Sequence, residues 1–218
     1  MVDTKQLKYE KALEYEIFVK EEYGFAKEVI KKANCIFDIW WHIWLFSKWC
    51  RGLNLDANIY YFEPIKENYQ KAYNLLWDDK NICLYNVWIA SEKRDWILLY
   101  NSEKTMQSSQ FSSFLNADWK EEKVSFIGFQ DAVKLAGVSD IDLVKIDIEG
   151  MEFEVLNSLT DDDWWIIKSL IIEIHLLSKE LEEQWISLYK KLKEKFTIIE
   201  IIPSWYSDKI FLMRAYNW

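Results

Sequence analysis

Acidic side chains recur at the ends of apolar runs in this chain, joined by one of its two histidines. Asp38 follows Cys35-Ile36-Phe37, and Glu63-Pro64 follows Asn58-Ile59-Tyr60-Tyr61-Phe62. Asp147-Ile148-Glu149-Gly150 ends the run from Ile141, and Glu173-Ile174-His175 ends the run from Ser169. Carboxylates accept hydrogen bonds from sugar hydroxyls, and an imidazole with an ordinary pKa near 6.5 takes up a proton at neutral pH. If the runs are parallel strands, these ends face one crevice, where open α/β sheets bind ligands. His175 by its pKa, and Asp147 and Glu149 by position, are then candidates to take a proton from a reacting hydroxyl. Glu63 lies 25 residues after Asp38, near the roughly 20-residue spacing at which a second-strand acid meets ribose hydroxyls.

Each of these residues also has a structural reading. His175 can hydrogen-bond the sheet end, and Glu149 can cap the following helix, whose dipole favours a carboxylate there. Lys145 either keeps the acids ionised or forms a buried ion pair. On ligand type alone, Asp147, Glu149, Glu173 and His175 could hold a divalent metal; no metal site is assigned.

The elements that must position these groups alternate. Strands are predicted at 35–39, 58–62, 82–87, 97–100, 124–127, 141–147, 169–175, 197–202 and 209–214, and helices at 43–50, 65–76, 129–136, 151–159 and 179–195. Several strands are continuous apolar runs, as in a parallel sheet covered on both faces. Residues 6–32 carry Leu13, Ile17, Tyr23 and Ile30 at helical spacing and predict one or two amphipathic helices. The Ser-, Gln- and Asn-rich segment 101–118 predicts an irregular or hairpin insertion near the ligand face. The domain plan is a helical extension at 1–33 and one α/β domain at 34–218.

A chain of 218 residues with 50% apolar content supports one sizeable core. A net charge of −9 disfavours nucleic-acid and anionic-membrane surfaces and leaves a small molecule or glycan as the expected partner. No apolar run approaches a membrane span, and the start has no signal-peptide pattern. Three cysteines without C-x-x-C spacing suit a reducing compartment, so the cytoplasm is expected.

The string Lys145-Ile146-Asp147-Ile148-Glu149-Gly150-Met151-Glu152 is the most specific in the chain. With Tyr61-Phe62-Glu63-Pro64, the segment from Asn86 to Ala90 and Ile171-Ile172-Glu173-Ile174-His175, it resembles the FkbM-type S-adenosylmethionine-dependent methyltransferases. The resemblance implies a doubly wound, Rossmann-like class I methyltransferase fold, with a mostly parallel seven-stranded sheet and helices on both faces. It implies S-adenosyl-L-methionine as cofactor, near Asp38, Trp40, His42, Trp44, Glu63, Asn86, Trp88 and Asp147. It also implies O-methylation of a hydroxyl on a sugar, glycan or other small metabolite.

One motif departs from the family. Its D-x-G-x-x-x-G turn here reads Asp38, Trp40 and Trp44, with Trp41 at a usually small position and His42 at one commonly Asn. Two indoles would fill the methionine and ribose space, and a turn residue needing positive φ would be strained. The alternative function is therefore a non-catalytic Rossmann-like binding module whose cofactor loop is blocked by Trp40, Trp41 and Trp44. Trp88 follows the third strand where a small residue is expected, Asp95-Trp96 stands where a hairpin favours Asp-Gly, and Trp205 lies in a turn. The chain has 13 tryptophans and 5 glycines, against about 7% glycine on average. The hypothesis that unites these positions is a gene whose UGA codons specify glycine, translated with tryptophan in their place. Trp164 and Trp185, away from turns, fit as genuine tryptophans. UGA codons at Trp40, Trp44 and Trp96 are the expected result of sequencing the coding DNA; UGG codons there would refute the idea.

Overall fold

A computed structural model of the chain describes residues 10–40, 44–101, 119–148, 150–204 and 207–217. Among these described residues, ten strands form two sheets. They are β1 (Cys35–Trp40), β2 (Asn58–Phe62), β3 (Ile82–Tyr85), β4 (Trp88–Ala90), β5 (Arg94–Asn101), β6 (Trp119–Gly128), β7 (Leu143–Asp147), β8 (Ser169–His175), β9 (Ile198–Pro203) and β10 (Ile210–Tyr216). The main sheet has seven strands in the order β3-β2-β1-β7-β8-β10-β9. All its pairings are parallel except those of β10, which runs antiparallel to β8 and β9. Every residue of β7 is buried, as its unbroken apolar pattern around Lys145 and Asp147 requires for a central strand. Strand order reverses between β1 and β7, which opens the ligand crevice at their carboxyl ends.

The sheets depart from expectation in three respects. Strands predicted at 97–100 and 124–127 leave the main sheet and form, with β4, a three-stranded sheet in the order β4-β6-β5. Asp95 and Trp96 stand inside β5, opposite Ser125 and Val124, so the Asp-Gly-like hairpin read at 95–96 is not there. The strand expected at 82–87 stops at Tyr85, and β4 starts afresh at Trp88. Segment 102–118 lies outside the described residues; its flanks β5 and β6 pair antiparallel.

The N-terminal segment is less regular than its spacing suggests. It contains a π-helical turn at Tyr15–Val19 and a 3-10 turn at Gly24–Ala26 before the helix Lys27–Lys32. Its apolar residues still find the core, with Ile17, Tyr23, Ala26 and Ile30 buried in the same cluster as β1 and β7. An unanticipated helix, Asp161–Ile166, follows a capping box in which Thr160 and Asp163 satisfy each other's backbone N–H, a device that contributes about 1 kcal/mol. The helices Phe129–Ala136 and Lys179–Lys195 fall where the sequence places them.

Candidate active site

Register alone gathers the polar residues. Asp38 is opposite Lys145 across β1 and β7, and Lys145 is opposite Ile171 across β7 and β8. Strand side chains alternate faces with period two, so Asp38, Lys145, Asp147, Glu173 and His175 share one face of the sheet. Asp38 is also opposite Tyr61, which extends this stripe onto β2.

Lys145 is fully buried and meets Asp147 with Nζ 2.9 Å from Oδ2. The rings of Tyr23 and Phe46 each lie 5.9 Å from its ammonium, so the cation is paired and partly ringed by π faces. Both structural readings of Lys145 hold at once: a buried ion pair that keeps its acid charged. Burial alone would raise the Asp147 pKa, but Lys145 and His175 hold it below the usual carboxylate range. Asp38, equally buried, goes the other way. Burial outweighs Lys145 and the Ser47 hydroxyl and pushes its pKa up to about 6. Its Oδ2 accepts from Ser47 Oγ at 2.5 Å, while Oδ1 is buried with no hydrogen-bond partner.

His175 is held by a residue that the sequence reading passed over. Its Nδ1 is 3.0 Å from Glu152 Oε1, and both side chains are buried. The same oxygen accepts from the backbone N–H groups of Ile148 and Gly150. Gly150 has φ of +100°, a conformation that disfavours any side chain, and it turns the chain back so that Glu152 faces the strand end. The available signal was the last residue of the Lys145–Glu152 string: an acid in the first turn of a helix, just after a glycine turn. Glu149, the other acid of the string, lies outside the described residues, as do Trp41 and His42.

The second strand end is tied down internally. Glu63 Oε1 accepts from Ile65 N at 2.7 Å, and Oε2 accepts from the Tyr61 hydroxyl at 3.3 Å. Burial pushes its pKa well above the usual range. Asn86 Nδ2 donates to the carbonyls of Glu63 and Pro64 at 2.8 and 2.9 Å, fastening the end of β2 to the β3–β4 connection. Trp40 ends β1 opposite Asp147. Trp44 precedes the helix Leu45–Leu53 with φ of −51°, so the left-handed strain expected of that turn is not found at Trp44.

Glu173 opens onto a cavity of about 310 Å³ walled by Glu16, Lys20 and Glu22 of the N-terminal segment and by Ser204 and Leu212. Burial, then Glu16 and Asp147, push the Glu22 pKa to about 7. Ligand atoms of Asp147, Glu173 and His175 lie within 4.8 Å of one another, close enough to meet one cation.

The methyltransferase FkbM domain model matches residues 43–199, which include Glu63, Asn86, the Lys145–Glu152 string and His175. The chain belongs to the FkbM methyltransferase family. No curated protein matches it in sequence. Among solved structures, this FkbM-family chain resembles a Streptococcus mutans protein assigned as a methyltransferase and solved in complex with SAH. The TM-score is 0.53 at 8% identity, over 88% of this chain and 95% of that one. A SAM-dependent O-methyltransferase from Thermotoga maritima also gives a TM-score of 0.53, at 11% identity over 92% and 66% of the two chains. The Methanococcus jannaschii fibrillarin pre-rRNA processing protein gives 0.50 at 10% identity, over 86% and 68%. These likenesses establish the class I methyltransferase fold.

S-adenosylmethionine is the cofactor of this FkbM methyltransferase fold, and the residues meet it only in part. The rim suits a polar ligand, because Asp38 Oδ1 is a buried acceptor still lacking a donor and Asp147 is an anion at the strand end. Among the described residues, one part of the interior does not suit it: the void between Ile39, Phe62, Pro64, Trp88 and Ile148 holds only about 10 Å³, roughly one water.

Proposed function

We propose that this chain is an O-methyltransferase acting on a hydroxyl of a sugar, glycan or other small metabolite, with His175 as the base that takes the hydroxyl proton. The buried Glu152–His175 contact at 3.0 Å carries this reading. A carboxylate that accepts from Nδ1–H places the ring's lone pair on Nε2 and stabilises the imidazolium formed when a proton arrives. Asp147, held anionic by Lys145, adds a second negative charge beside that proton. Glu173 leads from this group to the acidic cavity, whose carboxylates suit a polyhydroxylated acceptor through O–H donation. The Lys145 ammonium already supplies positive charge at Asp147, and no metal is invoked. Asp38, whose Oδ1 has no hydrogen-bond partner, is the proposed contact to polar groups of the donor, and Asn86 with the internally bonded Glu63 holds the end of β2 in place.

Cytoplasmic placement belongs to the same proposal: Cys35, Cys50 and Cys83 are unpaired thiols. Among the described residues, no helix is long and apolar enough to cross a membrane. The acidic surface implied by a net charge of −9 disfavours nucleic acid as the acceptor.

The test is transfer of label from methyl-tritiated S-adenosylmethionine to a panel of sugars, polyols and amino sugars by the chain carrying Trp40→Gly, Trp44→Gly and Trp88→Gly. The expected product is an alkali-stable methyl ether. Label found only on amine-bearing acceptors, as N-methyl, would sink the O-methyl reading. The small crevice favours a second reading for the chain as written, a Rossmann-like module that does not turn over; it is distinguished by no label transfer without those substitutions.

A further inference from the structure

Order of the central strands places the ligand crevice beyond β1, β2 and β7, and among the described residues the side chains there pack against the indole of Trp88. Trp88 is 2% exposed. It stands opposite Phe126 in the β4–β6 pairing, and the two rings stack 5.4 Å apart with 14° between their planes. Ile39 from β1, Phe62 and Pro64 from the end of β2 and Ile148 from the end of β7 line the same void of about 10 Å³. The indole is a flat, fused two-ring system packed in an apolar slot at the switch point, with an aromatic face beneath it. A purine has that same shape and stacks on aromatic faces by the same forces.

We propose that the Trp88 indole occupies the slot meant for the adenine of the methyl donor, so that residue 88 gates the crevice: closed with tryptophan, open with glycine or alanine. The proposal rests on the cofactor reading above but not on the choice of acceptor or base. It adds a second obstruction to the expected one: Trp44 precedes the helix Leu45–Leu53 and is buried, and the stacked indole of residue 88 enters from the third-strand connection.

Binding of S-adenosylhomocysteine is measured by isothermal titration calorimetry on the full chain and on its Trp88→Gly and Trp88→Ala variants, with indole as a second probe. Removing the side chain should leave a slot that indole refills. Both variants are expected to bind indole, to bind S-adenosylhomocysteine at least tenfold more tightly than the full chain, and to show competition between the two ligands. Equal affinity of the full chain and the variants for S-adenosylhomocysteine overturns the proposal. So does indole binding without S-adenosylhomocysteine binding, which would mean that the slot is not the donor's. Trp88→Phe, which keeps one ring against Phe126, covers failure of the smaller variants to fold: a gain of threefold or more supports the plug, and no gain refutes it. A variant that binds S-adenosylhomocysteine but transfers no methyl group counts against the proposed reaction and leaves the gate standing.

Discussion

Thermal unfolding of this chain is expected at a higher temperature at pH 5 than at pH 7.5, and Asp38→Asn is expected to remove much of the difference. The reason is the buried stripe at the strand ends. Asp38 is held at a pKa of about 6, burial being the largest cause, while an unfolded Asp titrates near 3.9. Between those values the folded chain keeps a proton that the unfolded chain has released, so stability falls as pH rises through the window. Glu22, raised to about 7, acts in the same direction at slightly higher pH, and Glu63 is raised as well. Asp147, Asp142 and Glu154 are shifted down. Their contribution is present above the usual carboxylate pKa and is lost only in stronger acid, so it does not cancel the fall. For Asp38 the shift of roughly two units corresponds to about 3 kcal/mol. At about 2–4 °C per kcal/mol for a chain of this size, Asp38→Asn should raise Tm at pH 7.5 by roughly 6–12 °C. Asparagine keeps an acceptor for the Ser47 hydroxyl. Differential scanning calorimetry across the range checks both statements, and a Tm that climbs steadily from pH 5 to 7.5 would show that these acids are charged at no cost. An acid ionised at neutral pH against this penalty does not stabilise the fold.

What was legible in the sequence follows from how local each signal is. The spans of β2, β8 and the helices Phe129–Ala136 and Lys179–Lys195 are set by uninterrupted apolar runs or helical spacing and by end residues. Gly137, left-handed at φ +69°, stops the first helix, and the Ser178 hydroxyl caps the second. The stripe of Asp38, Asp147, Glu173 and His175 was legible because strand ends in a parallel sheet share an edge. The small sheet was not, because β4 is three residues long and its identity comes from pairing with β6, 38 residues away at Trp88–Phe126. Glu152 escaped because its role depends on the φ of Gly150, which composition does not encode. The helix Asp161–Ile166 lay outside the predicted elements because it is six residues long and opens on three consecutive aspartates, with no apolar periodicity to mark it. The tryptophans divide in the same way. Trp164 packs edge-on against Phe196 and Trp185 against Phe211, while Trp165 is 90% exposed and Trp77 is 65% exposed. Packing accounts for the first pair and not the second.

His175→Gln, in the chain made competent by Trp40→Gly, Trp44→Gly and Trp88→Gly, is expected to lower kcat by about 10²- to 10⁴-fold, the range for losing a positioned base. Binding of S-adenosylhomocysteine should be unchanged, because His175 sits on β8 beside Glu173 and outside the slot formed by Ile39, Phe62 and Ile148. Glutamine keeps a hydrogen-bonding group near Glu152 Oε1 but cannot accept and hold a proton. Glu152→Gln tests positioning separately from base chemistry. It leaves the imidazole in place but removes the carboxylate that orients Nδ1 and favours the charged ring. Its kcat should fall by a smaller factor, on the order of tenfold, and the acid limb of the rate profile should move to lower pH. A purely structural role for Glu152 would lower the folded fraction without moving that limb, so the pH profile separates the two. If His175→Gln retains kcat within threefold, the hydroxyl proton leaves by another route, and Asp147, ionised by Lys145 at 2.9 Å, becomes the residue to test next.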